Sequence, residues 1–180
     1  MVRVEIRSGT VTLREYYWQL VEGQEAAHGA GYCAHHYEID AAALECRSYA
    51  EVGVNQGATL ACALLAGFAE VTGVDIAPEN WRPYGHLFRE MPAFRGVYPQ
   101  DHLAPLPFAP DFLLLDCAHT VAGLRAELEA HGPTARKYIL IHDTGTFSEL
   151  HREACRWAAL HGLTMAGWSM KGAGHTLLKR

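Results

Sequence analysis

The sequence predicts an α/β fold, an open and mostly parallel sheet with helices on both faces, on three observations. The first is the stretch from Ser48 to Asp75, SYAEVGVNQGATLACALLAGFAEVTGVD. A short apolar run meets a Gly-containing turn, a helix-like apolar stretch follows from Ala58 to Phe68, and a second run, Val71 to Val74, closes on an acid. Strand, helix, strand in that order makes a right-handed crossover between parallel strands, with ligands bound beyond the strands' carboxyl ends. The second observation is a pair of later apolar segments without alternation, Asp111 to Asp116 and Tyr138 to His142, the pattern of strands buried on both faces. The third is the close spacing of two last strand-like runs, Leu163 to Trp168 and His175 to Leu178.

Composition sets the outer bounds. With 180 residues, 49% hydrophobic and 19% charged, the chain reads as one globular domain over residues 1–180, divided into an N-terminal extension (1–38) and a core (39–180). A net charge of −5, from 15 basic and 20 acidic residues, leaves no electrostatic footprint for nucleic acid or an anionic membrane, which points to a small-molecule partner. The start, Met-Val-Arg-Val-Glu-Ile-Arg, alternates charge with apolar residues and lacks a secretory apolar core. No run approaches the roughly 18 apolar residues of a membrane span, so a cytoplasmic protein is expected. Five cysteines, Cys33, Cys46, Cys62, Cys117 and Cys155, are odd in number and fit reduced, buried thiols. A homo-oligomer is left open by these features.

From the start of the chain, Val2, Val4 and Ile6 alternate with charges, Ser8-Gly9 offers a two-residue turn, and Val11 and Leu13 resume the alternation, which is a hairpin signal. Arg14 to Glu22 is expected as a short helix and Gly23 to His36, rich in Gly, Ala and His, as a loop. Asp40 can cap a helix to about Arg47, leading into the first strand of the parallel sheet. After Asp75, Pro78 to Met91 is expected as a helix interrupted by Pro83, and Phe94 to Tyr98 as a strand. Pro105, Pro107 and Pro110 hold an extended connection. Thr120 to His131 has helical spacing stopped by Gly132-Pro133, and Ser148 is placed to cap a helix to about His161. No internal repeat, linker or low-complexity segment interrupts this order.

The turn between the first strand and helix decides the ligand. A dinucleotide fingerprint needs G-x-G-x-x-G so that backbone can approach a pyrophosphate. Here the turn is Gly53-Val-Asn-Gln-Gly57, with Asn55 between the glycines and no third glycine, so NAD is disfavoured. What remains is Glu51 before the first glycine, a G-x-x-x-G turn, a helix N-terminus suited to an anion, and Asp75 suited to a ribose diol. These elements resemble the cofactor-binding half of the class I S-adenosylmethionine-dependent methyltransferases. The resemblance implies a Rossmann-like seven-stranded sheet whose last strand inserts antiparallel, with Glu51, Gly53, Asn55, Gly57 and Asp75 around the cofactor. It also places Asp101, after the third strand, near the adenine amino group, where Gln100 could serve instead.

Chemistry gathers at two later strand ends. Phe112-Leu-Leu-Leu-Asp-Cys-Ala-His119 ends on Asp116 with His119 in the following turn, and Tyr138-Ile-Leu-Ile-His-Asp-Thr144 ends on His142-Asp143. These D-x-x-H and H-D elements resemble a subgroup of small-molecule O-methyltransferases that includes macrolide sugar O-methyltransferases and cephalosporin hydroxylase-like proteins. The resemblance covers Glu45 to Thr144. It implies Asp116 and Asp143 as ligands of a divalent metal such as Mg²⁺ and His119 as general base. Its members usually carry a second acid where this chain has Thr144. The bland alternative makes Asp116 a helix cap and Asp143 an acceptor for loop N–H groups.

Cys33-Ala-His35-His36 has no C-x-x-C partner and reads as a loop rather than a zinc site. Tyr16, Tyr17, Trp18 and Tyr32 could wall a substrate pocket or belong to the core. The function expected is S-adenosylmethionine-dependent methylation of a small-molecule hydroxyl. The alternatives are metal-independent transfer to nitrogen or another acceptor, and a catalytically silent S-adenosylmethionine-binding module. Acceptor choice would lie in the loops 23–36, 145–148 and 170–174.

Overall fold

The computed structural model describes residues 11–117 and 119–180. Most of the expected N-terminal hairpin lies outside the described residues, and its last position departs from the expectation. Leu13 opens helix α1 (Leu13–His28) instead of extending a strand. Thr12 caps it: the Thr12 hydroxyl accepts from the Glu15 amide at 3.3 Å and the Glu15 carboxylate accepts from the Thr12 amide at 2.8 Å. That reciprocal box outweighs the alternation of Val11 and Leu13. α1 buries Leu13, Tyr16, Leu20 and Val21 on one side and runs on through Gly23, so half of the expected 23–36 loop is helical. α2 (His36–Ala42) follows a short turn, and Asp40 lies inside it rather than at a cap.

Seven strands form one sheet: β1 (Ser48–Val52), β2 (Glu70–Val74), β3 (Phe94–Tyr98), β4 (Phe112–Leu115), β5 (Tyr138–His142), β6 (Thr164–Ser169) and β7 (His175–Lys179). Their order is β3-β2-β1-β4-β5-β7-β6. β1 to β5 are mutually parallel, and β7 pairs antiparallel with both β5 and β6. The seven-stranded, mostly parallel Rossmann-like sheet expected from the sequence is therefore observed. β1 has β2 on one side and β4 on the other, so the winding direction reverses between β1 and β4, the place where such sheets open a crevice.

Register sets the chemistry. Val52 lies opposite both Val74 and Leu115, and Leu115 opposite Ile141. The residues that follow, Gly53, Asp75, Asp116 and His142-Asp143, consequently leave the sheet along one edge. Alternating strand residues divide the core. Tyr49, Phe112, Leu114 and Leu140 pack with α1, α2 and α3 (Ala58–Ala66). Ala50, Leu113, Leu115, Ile139 and Ile141 pack with α5 (Val121–His131) and α6 (Ser148–His161).

Pro83 removes an amide and restricts the residue before it, so the segment expected as one interrupted helix becomes two 3₁₀ turns and α4 (Gly85–Arg89). Thr120 caps α5 through the Gly123 amide, as its spacing predicts. Ser148 is the first residue of α6, not its cap. Cys33, Cys46 and Cys62 are buried thiols, but Cys117 is exposed and Cys155 half-buried, against the expectation for those two. Among the described residues no helix is long and apolar enough to cross a membrane.

Candidate active site

A cavity of about 410 Å³ opens at the carboxyl edge of the sheet. Its floor is the set of turns after β1, β2, β4 and β5, and its other wall comes from the end of α1 and the 29–36 turn through Gln24, His28, Tyr32 and His35. Gly53, with φ +93°, leaves β1 so close to β4 that a Cβ there would lie 2.4 Å from the Asp116 carbonyl oxygen. Asn55 also adopts a left-handed backbone, φ 48°, which Asn tolerates better than most residues. Tyr16 fixes the turn from below, its hydroxyl donating to the Gln56 carbonyl at 2.6 Å.

Asp75 ties two turns together. One carboxylate oxygen accepts from the Val54 and Asn55 amides at 2.9 and 2.7 Å, and the other from the Ala77 amide at 2.7 Å. A carboxylate has about four acceptor sites, so roughly one remains for a ligand hydroxyl.

Gly53, Asn55, Gly57, Asp75, Asp116, His119 and Asp143 all line the cavity. Glu51 and Asp101 do not. Glu51 lies on the α1–α3 side of β1, fully buried, where Tyr49 donates to it at 2.5 Å. Burial pushes its carboxyl up to about 8 despite hydrogen bonds from Tyr49 and Thr59. Asp101 is exposed and caps its own loop by accepting from the Leu103 amide at 2.8 Å, while its neighbour Gln100 faces the cavity.

The polar centre is a chain of two acids and two imidazoles. His119 Nε2 lies 2.7 Å from Asp143 Oδ2, Asp143 Oδ1 lies 3.4 Å from His142 Nδ1, and His142 Nδ1 lies 3.0 Å from Asp116 Oδ1. Asp143 is held here in a left-handed backbone conformation, φ 59°. The hydrogen bond to Asp143 raises the His119 imidazole above its ordinary range, against a smaller opposing effect of partial burial. Burial alone would lower His142, yet the charges of Asp116 and Asp143 and the bond to Asp116 carry it upward. For Asp143, burial is the largest single influence and acts upward. The bond from His119 and the charges of His142 and His119 together hold its carboxyl below the usual range.

His142 was not a candidate in the sequence, because a strand-end His beside an acid looks like part of a buried run. It sits 5% exposed against the ring of His35 at 4.1 Å, with His36 and His175 in the same buried group. Among the described residues, Cys33, His35 and His36 do not come together as a group of metal donors. Among the described residues the one group of metal-donor side chains is Asp116, His142 and Asp143. Thr144, standing where relatives were expected to carry a second acid, is fully buried and accepts from the Thr176 hydroxyl at 3.0 Å. Of the four aromatic candidates, Tyr16 is core and Tyr32 walls the cavity, stacked on His28 at 4.3 Å. Tyr17 and Trp18 line a separate hollow between α1, α2 and α3.

No protein-family model matches the chain, and no curated protein matches it in sequence. Solved structures do. Magnesium protoporphyrin IX methyltransferase from Synechocystis PCC 6803 with bound S-adenosylmethionine aligns over 97% of this chain and 86% of its own, at 12% identity and a TM-score of 0.68. The O-methyltransferase TomG of tomaymycin synthesis from Streptomyces achromogenes aligns over 96% and 90%, at 12% and 0.63. The mitomycin 7-O-methyltransferase MmcR aligns over 94% of this chain and 60% of its own, at 14% and 0.60. At such identities what is shared is architecture, and the chain has the fold of the class I S-adenosylmethionine-dependent methyltransferases.

Proposed function

We propose that this protein is an S-adenosylmethionine-dependent methyltransferase acting on a hydroxyl of a small molecule. The observation that carries the reading is the His119–Asp143 pair facing the same cavity as the turn anchored by Asp75. The cavity suits the cofactor. Its size is in the range of small-ligand sites, the Val54 to Gly57 turn forms its floor, and Asp75 keeps an acceptor site for a ribose hydroxyl. Gln100 takes the position beside the adenine that Asp101 cannot reach from the surface. When bound, S-adenosylmethionine supplies an electrophilic methyl group on its sulfonium.

The chain's own residues supply the rest. A hydroxyl is a weak nucleophile until its proton is removed as the new bond forms. His119 donates through Nε2–H to Asp143, a bond that orients the ring and leaves Nδ1 as the atom that accepts that proton, in the manner of an acid-oriented histidine base. Phe147 packs on the same imidazole with ring centroids 5.5 Å apart and limits its swing. Asp116 and Asp143 are the residues that would hold a divalent ion, and such an ion would lower the pKa of an acceptor hydroxyl.

The test is thermal unfolding with S-adenosylhomocysteine, followed by methyl-transfer assays against a panel of small phenols and sugars. A cofactor shift with turnover supports the enzyme. A shift without turnover for any acceptor favours the silent binding module, and no shift ends both.

A further inference from the structure

We propose that the ion taken by this site is a first-row transition metal such as Mn²⁺ or Co²⁺ rather than Mg²⁺, held by Asp116, His142 and Asp143, with His142 deciding the choice. This deepens the reading above and rests on it only for the ion's place beside the acceptor.

Three donor atoms converge. His142 Nδ1 lies 3.0 Å from Asp116 Oδ1 and 3.4 Å from Asp143 Oδ1. All three donor atoms lie within 4.8 Å of one another, and neighbouring donors around an octahedral ion with bonds of about 2.1 Å stand about 3.0 Å apart, close to the spacing of His142 Nδ1 from each acid. His142 is 5% exposed, and among the described residues its Nε2 has no hydrogen-bond partner. The ring's polar function is thus directed entirely through Nδ1, toward the two carboxylates. Asp143 sits here in a left-handed backbone conformation, φ 59°, which Asp adopts more readily than most residues.

The donor set then selects the ion. Mg²⁺ is a hard cation that demands oxygen and keeps most of its water, whereas imidazole binds the later divalent ions increasingly well. Thr144, where a second acid was expected, is turned into the core toward Thr176, and among the described residues the third donor grouped with the two acids is the His142 imidazole. The second oxygen of Asp143 accepts from His119 at 2.7 Å, an outer hydrogen bond of the kind that orients a ligating carboxylate. Three protein donors leave positions open toward the cavity for an acceptor oxygen and water.

The experiment uses chelator-stripped full-length protein, with Mn²⁺, Co²⁺ and Mg²⁺ titrated singly by calorimetry and Co²⁺ also by its visible absorption. The wild type should bind Mn²⁺ and Co²⁺ at least ~10-fold more tightly than Mg²⁺. His142→Asn, which offers a hard amide oxygen in place of Nδ1, should narrow or abolish that preference, and His142→Asp should shift it toward Mg²⁺. Equal or tighter Mg²⁺ binding by the wild type, or a preference unchanged in both variants, overturns the proposal. So does absence of binding by all three ions, which would leave His142 as an imidazolium paired with the two acids. A retained S-adenosylhomocysteine shift in each protein reports an intact fold and cofactor site, so failure here is separable from failure of the methyltransferase reading.

Discussion

His119 and Asp143 share a hydrogen bond of 2.7 Å that holds the imidazole above its ordinary pKa. Because the proton-accepting form is the neutral ring, turnover should rise with pH through an apparent pKa above 6.5. Asp143→Asn should move that limb to lower pH and reduce the plateau, since the ring loses both its orienting acceptor and the charge that raises it. His119→Ala should lower turnover by roughly 10²- to 10⁴-fold with S-adenosylhomocysteine affinity little changed, because the turn that would hold the cofactor is fixed by other residues. Kinetics across pH for the three proteins check both statements, and near-normal turnover in His119→Ala would remove the base assignment. At this scale the sequence was informative where chemistry sits at a strand end. Asp116, His119 and Asp143 were legible from their places after apolar runs. His142 was not, because its partner Asp116 and its neighbour His35 are 26 and 107 positions away in the chain. Glu51 also misled. The register that buries Tyr49 turns Glu51 to the same side of β1, away from the cavity.

Two elements carry the cavity's floor, and each gives a test. Gly53 must adopt φ +93° with its α-carbon against the Asp116 carbonyl, so Gly53→Ala should lower unfolding stability by roughly 2–4 kcal/mol in urea titrations. A loss well below 1 kcal/mol would mean that β1 and β4 can separate at that point. Asp75 accepts three amides from two turns, so Asp75→Ala should both lower the melting temperature and remove most of the shift given by S-adenosylhomocysteine. NAD should give no shift with either protein. An undiminished cofactor shift in Asp75→Ala would place the ribose elsewhere. The strands were legible because parallel strands buried on both faces are written as unbroken apolar runs, as in Phe112 to Leu115 and Tyr138 to Ile141. The N-terminal third was harder to read. Gly23 and scattered charges hide the periodicity of α1, although Thr12-Leu-Arg-Glu15 spells a capping box that local reading could have used. The 78–91 segment was blurred by Pro83, whose effect on a helix is certain in kind but not in position.

Across the whole molecule, two buried groups of opposite sign shape stability against pH. His36 is driven down to about 3, chiefly by burial and then by the charge of His142. The unfolded chain binds its proton below about 6.5, so stability falls as pH drops from there toward about 3. Glu51 is pushed up to about 8 by burial. Its unfolded form releases a proton near 4.5, so its contribution is lost as pH rises from there through about 8. Glu51→Gln should therefore raise the melting temperature at pH 8 while changing it little at pH 4.5, the amide oxygen still accepting from Tyr49. Equal shifts at both pH values would show that Glu51 is not held neutral. The antiparallel insertion of the last strand was foreseeable from the resemblance to the class I methyltransferases. The cavity's second wall was not, since it depends on α1 and the 29–36 turn folding back over the sheet edge.

The single carboxylate of Asp143 stands between His119 on one oxygen and His142 on the other. The two imidazoles consequently face one shared acid. A positive charge on His142 opposes one on His119, an influence smaller than that of the bond to Asp143. Whatever occupies His142 Nδ1, a proton or an ion, therefore reaches the base at His119 through the one acid that both rings face.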